Sequence, residues 1–185
     1  MERLQPETSL LLVVDVQERL AAAMPAPAME RLVANAGLLL EAARVLRIPV
    51  VASEQYPKGL GPTVAPIADR LRALAVQPVD KLTFDAVDEP RIADAIGRHA
   101  PRAVIVVGME THVCVFQTAR ELARRGYAVH VVADAVASRR EEHRVLGLAL
   151  CERAGAVAPP AESVVFDWLR VAGTGEFKAL SRLLR

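Results

Sequence analysis

Three residues of different chemistry stand close behind apolar runs: Asp15 after residues 10–14, Lys81 after residues 76–79, and Cys114 just past Gly108. An acid, a cation and a thiol divide one reaction naturally. Asp15 would accept the thiol proton, Lys81 would hold the resulting charges by electrostatics, and Cys114 would attack an electrophilic carbon. Each has a plainer reading: cysteine is among the most buried residue types, Asp often caps a following turn, and most lysines are simply solvated. Gln17, Tyr56 and Phe84 lie beside Asp15 and Lys81 or in the Gly- and Pro-dense loop 54–62, and are the candidate substrate contacts.

The thiol owes its setting to residues 103–118. Residues 103–107 are apolar and mostly β-branched, the pattern of a strand buried on both faces within a parallel sheet. Gly108 permits a sharp exit, Thr111 is a candidate N-cap, and Val115, Ala119 and Leu122 recur at helical spacing. Cys114 then sits at a helix start, where orphan N–H groups and the positive end of the macrodipole favour a thiolate. No Asn or Gln is present in the turn 108–114, so backbone N–H groups, that of Cys114 among them, must meet any developing oxyanion.

The rest of the chain alternates strands and helices. Further strands are expected at 10–14, 49–53, 76–79, 127–132 and 164–166, with helices at 32–46, 64–74, 92–99, 141–153 and 173–185. Such alternation calls for an α/β fold, a parallel sheet with helices on both faces, whose ligand crevice lies outside the carboxyl ends of the strands. Asp134, at the end of the fifth strand, orders a loop or caps the next helix. The helix at 141–153 carries the run 145–151, apolar almost all the way round, so a second covering is expected from another copy of the chain, making a homo-oligomer; Cys151 within it reads as core.

A chain of 185 residues suits one domain spanning 1–185, and 52% apolar with 24% charged residues is an ordinary globular balance. A net charge of +1 without a basic block gives no footprint for nucleic acid or an anionic membrane. The amino terminus is too polar for a secretory segment and no apolar run reaches bilayer length, so a cytoplasmic location and no membrane are expected. Two cysteines are too few for a disulfide framework and lack metal-ligand spacing. No strand is followed by a GxGxxG or P-loop pattern, which disfavours a nucleotide-binding protein.

In their order and spacing, the motifs LLVVDVQ with Asp15, VDKLTFDA with Lys81 and VVGMETHVCVFQTA with Cys114 resemble the isochorismatase-like cysteine hydrolase superfamily. That superfamily includes nicotinamidases, N-carbamoylsarcosine amidohydrolase and isochorismatases. The segments SEQYPKGLG and DAVASR are more similar to its isochorismatase-domain and YcaC-like branch. The resemblance implies a three-layer α/β/α fold with a six-stranded parallel sheet of order 3-2-1-4-5-6. It also implies an Asp15–Lys81–Cys114 triad, and an oxyanion hole from the N–H groups of Glu110 and Cys114 created by a cis Met109–Glu110 bond. Nicotinamidases carry an Asp-x-His metal signature after the second strand. This chain has Ser53-Glu54-Gln55-Tyr56 and no histidine before His99, which argues against nicotinamide and against a catalytic metal; no cofactor is expected. Retention of the cysteine favours hydrolysis of a small amide, ureide or related carbonyl compound through a thioester. The alternatives are an isochorismatase-type vinyl ether hydrolase and a non-catalytic or thiol-sensing relative that keeps the triad.

Overall fold

The computed structural model describes residues 3–184. Five strands, β1 (Ser9–Val14), β2 (Val50–Gln55), β3 (Val79–Lys81), β4 (Ala103–Met109) and β5 (Ala128–Ala137), form one sheet. All neighbours are parallel and the order is β3-β2-β1-β4-β5. The helices are α1 (Glu18–Ala22), α2 (Ala26–Leu46), α3 (Pro57–Leu60), α4 (Ala65–Ala73), α5 (Pro90–His99), α6 (Phe116–Arg124), α7 (Glu141–Arg153), α8 (Ala161–Leu169) and α9 (Gly175–Leu180). None is long and apolar enough to cross a membrane.

Every residue of β1 and β4 is buried, as unbroken apolar runs require when helices cover both faces. Leu11, Val13, Ile105 and Val107 pack with Leu32, Leu39, Ile67, Val164 and Trp168 of α2, α4 and α8. Leu10, Leu12, Val104 and Val106 pack on the other side with Ile92, Ile96, Ala119, Leu122 and Cys151 of α5, α6 and α7. The result is a three-layer α/β/α molecule. The connections leaving β1 run one way and those leaving β4 the other, so a crevice opens between their carboxyl ends. Gly108 is tied to that point: it pairs with Val14, its φ is +127°, and a Cβ there would lie 1.9 Å from the Val14 carbonyl oxygen.

The expected sixth strand is not formed. Residues 164–166 lie inside α8, where Val164, Val165, Trp168 and Leu169 make a helical buried face. Pro159 and Pro160 stand immediately before that helix, Pro160 at its N-cap, and proline obstructs a strand. Val157 takes the sixth place beside β5 as a single bridge to His130, exchanging hydrogen bonds with Val129 and Val131. The third strand begins at Val79 rather than at Val76, so Lys81 is its last residue and not its successor. The fifth strand runs on to Ala137, which places Asp134 within it; its carboxylate accepts from the Ala161 N–H and so caps α8, not α7. The terminal helix is confined to Gly175–Leu180.

Candidate functional site

The carboxyl ends of β1 and β3 and the turn after β4 bring Asp15, Lys81 and Cys114 together. Asp15 leaves β1 with a φ of +52°, and its N–H donates to the Ser53 carbonyl. Lys81 Nζ donates to Asp15 Oδ2 at 2.7 Å, to Gln55 Oε1 at 2.7 Å and to the Thr83 carbonyl at 3.1 Å. These three close acceptors, with the Phe84 carbonyl further off at 3.5 Å, occupy the three donors of an ammonium. Ser53 Oγ donates to Asp15 Oδ1 at 2.7 Å. Both charged side chains are fully buried, so the pair stands out of water and its geometry is held by these partners.

Ser53 and Gln55 were not singled out from sequence. They occupy alternate positions of β2, hence one face, and the parallel register sets Ser53 against Val14 and Gln55 against Lys81. A readable signal existed in the polar residues 53–55 that end an apolar run, of which Ser53 and Gln55, at i and i+2, share a face.

Cys114 does not begin an ordinary α-helix. Residues Thr111–Val115 form a π-helical turn that runs into α6, and Thr111 caps nothing; its buried hydroxyl has no partner among the described residues. The expectation of a favoured thiolate is also corrected. Burial pushes the Cys114 thiol up to about 12, and the neighbouring, hydrogen-bonded Asp15 carboxylate adds to the rise against the opposing charge of Lys81. The sulfur rests protonated against a base, with 6% of the residue exposed. Cys151 is fully buried and likewise pushed up to about 12 by burial.

The Met109–Glu110 bond is cis. The Glu110 carbonyl accepts from the N–H groups of Val113 and Val115, at 3.0 and 3.2 Å, and these amides flank that of Cys114. The Glu110 side chain is buried and accepts from both the backbone N–H and Nε of Arg139. Next to it, His112 Nδ1 lies 3.0 Å from Ser138 Oγ, and its ring stands 4.6 Å from that of His143. Burial, opposed by the Glu110 carboxylate, lowers the pKa of His112. Gly147 of α7 lets the helix close on this turn, because a Cβ there would meet the His112 nitrogen at 2.8 Å.

The candidate substrate contacts divide. Gln17 is fully buried, and its amide donates to the Gln55 and Gly61 carbonyls and accepts from the Gln55 N–H. Both donors are spent on the protein, so Gln17 builds the loop after β2 rather than meeting a ligand. Tyr56 and Phe84 are 51% and 55% exposed. They flank the Lys81 cradle, since the Tyr56 N–H donates to the Lys81 carbonyl and Phe84 follows Thr83. Among the described residues no group of three or more His, Cys, Asp or Glu side chains converges to hold a metal.

The fold and this arrangement define a doubly wound α/β protein with a thiol, a carboxylate and an ammonium at its topological switch point. The family model for the isochorismatase domain matches residues 9–162, and the chain belongs to that family. Isochorismatase domain-containing protein 2A of Mus musculus is 35% identical over 184 residues, which span 99% of this chain and 85% of that protein. The solved structure of MAR1 ribonuclease from Caenorhabditis elegans superposes with a TM-score of 0.91 at 36% identity, covering 99% of this chain and 92% of the other. The YcaC gene product of Escherichia coli, described as an octameric hydrolase of unknown specificity, superposes with a TM-score of 0.87 at 21% identity, covering 98% and 90%.

Proposed function

We propose that this protein is a cysteine-dependent hydrolase of a small amide, ureide or related carbonyl compound, acting through a thioester on Cys114. The superfamily is one of hydrolases, and the finer reading is supported by one observation above others. A wholly buried Asp15–Lys81 pair at 2.7 Å presents the same carboxylate to the Cys114 thiol.

The neutral resting thiol dictates the order of events. Asp15 takes the proton as the sulfur adds to the carbonyl carbon, so the thiolate forms only as it is used. The carbonyl electron pair moves to oxygen, where the N–H groups of Glu110 and Cys114 are the donors. Collapse breaks the C–N bond, and the leaving nitrogen takes the proton from Asp15. Water then adds to the thioester carbon while Asp15 accepts its proton. That proton returns to the sulfur as the carboxylic acid departs. Lys81 stays charged throughout and fixes the carboxylate.

Assembly into a homo-oligomer belongs to the same reading. Val145, Leu146 and Leu150 are exposed along α7, while Gly147 and Cys151 face inward, so the helix carries apolar surface that its own sheet leaves uncovered. The octameric YcaC relative supports this. Light scattering at micromolar concentration should give a dimer or larger species, and a monomer would refute it.

The function is tested with a panel of small amides and ureides, with an RNA oligonucleotide added because the C. elegans relative is described as a ribonuclease. Ammonia or amine release, loss of turnover in Cys114→Ala, an acyl adduct on Cys114 by mass spectrometry, and indifference to chelators are expected. Turnover surviving in Cys114→Ala, or RNA cleavage without amide hydrolysis, would overturn the reading.

A further inference from the structure

We infer that the cleft between β5 and α8, at the other end of the sheet from Cys114, is a binding site for a small molecule with an apolar body and an uncharged or cationic hydrogen-bonding head. The cleft has a volume of about 650 Å³ and is lined by Leu4, Val157, Pro159, Val164 and Phe166, with His130, Ser163 and Asp167 as its polar members. It is an open groove rather than an enclosed cavity, but apolar walls with a few convergent polar groups are the materials of small-ligand sites.

His130 is the telling residue. It lies near the start of β5, paired with Ile105, so it belongs to the amino-terminal half of the sheet. Only 5% of it is exposed, yet its ring nitrogens are not sealed off: among the described residues the Thr111 hydroxyl is the buried side-chain polar atom left without a partner. Ring nitrogens that open into a cleft take their hydrogen bonds from water or from whatever displaces that water. Burial lowers the pKa of His130 against the pull of Asp167, so the ring is neutral at pH 7 and offers one donor and one acceptor.

Asp167 sets the sign of the ligand. Its carboxylate accepts from the Leu4 N–H at 2.6 Å and lies 3.7 Å from Arg3 Nε, an exposed guanidinium on its outer side. An anionic head entering beside it would meet a negative charge and no cation within the cleft lining. An ammonium or hydroxyl meets two acceptors, Asp167 and the imidazole. The sheet position beyond β5 is held only by the single bridge at Val157, and Ser163, Phe166 and Asp167, spaced i, i+3, i+4, turn one face of α8 towards the opening.

The test uses the full chain with labelled histidine side chains and three probes of one shape: benzylamine, benzyl alcohol and benzoate. Saturable shifts of the His130 resonance with benzylamine and benzyl alcohol are expected, at least tenfold weaker binding in His130→Phe by titration calorimetry, and little binding of benzoate. Ser163→Trp, on the exposed rim, plugs the opening without disturbing the core and should abolish the shifts while leaving amide turnover intact. No saturable shift, unchanged affinity in both variants, or equal binding of benzoate would overturn the proposal. So would disappearance of the oligomer in Ser163→Trp, which would make the cleft an interface between copies.

Discussion

Lys81→Met removes the ammonium and keeps most of the side-chain volume, so it isolates the charge. In the wild type Nζ serves Asp15, Gln55 and Thr83, and neither Lys81 nor Asp15 has any exposed side-chain surface. Breaking a buried ion pair from one side costs about 3–5 kcal/mol, because the remaining charge is stranded. The Gln55 and Thr83 oxygens lose their donor as well, and each buried acceptor so orphaned adds about 1–3 kcal/mol unless water reaches it. A loss of at least about 3 kcal/mol is therefore expected, or a fall in Tm of at least about 6 °C for a chain of this size. Urea denaturation followed by circular dichroism reads it. The decisive control is the double variant Asp15→Asn with Lys81→Met, which strands no charge and should lose less than the sum of the two single losses by about 1 kcal/mol or more. A loss below about 1 kcal/mol in Lys81→Met, or strict additivity in the double variant, would show that the pair is not coupled and would refute the argument.

Gly147→Ala should cost about 1–3 kcal/mol and most of the activity, because the new Cβ lies 2.8 Å from the His112 nitrogen and 2.9 Å from the Thr111 carbonyl carbon, both backbone atoms of the Cys114 turn; unchanged stability and turnover would refute it. Burial raises the Asp85 pKa to about 6, so the folded chain holds this proton to higher pH than the unfolded chain, and the stability it lends below about pH 4 is lost as pH rises through 6. Asp85→Asn escapes that loss, so its stability relative to wild type should rise by up to about 3 kcal/mol between pH 4 and 7, whereas a constant difference in urea titrations would contradict this. Iodoacetamide should label Cys114 before Cys151, since only Cys114 reaches the surface, and its rate should climb with pH across the range of about 7 to 10 as the scarce thiolate grows. A plateau near pH 8, or a faster Cys151, would remove the picture of a protonated resting thiol.

What the sequence revealed and what it concealed separate along a physical line. Asp15 and Cys114 were legible because each stands close behind a buried apolar run, and Lys81 because it ends a short edge strand; the carboxyl ends of strands are where a parallel sheet exposes its chemistry. The partners of the ion pair were not, because Ser53 and Gln55 reach it only through the register between β1, β2 and β3, a pairing no single stretch contains. Residues 164–166 were misplaced for a related reason: three apolar residues fit a strand or one turn of a buried helix equally well, and the neighbouring Pro159 and Pro160 held the deciding information.

The thiol is the most instructive case. A helix start favours a thiolate locally, but desolvation and an adjacent carboxylate are tertiary quantities, and here they outweigh the ammonium. That outcome changes the division of labour. With three acceptors closing around Nζ, Lys81 has no donor left to hold a thiolate, so its charge acts on Asp15 and reaches the sulfur only through that carboxylate. The base is thus positioned by a cation it cannot escape, and the sulfur remains protonated until an electrophilic carbon arrives beside it.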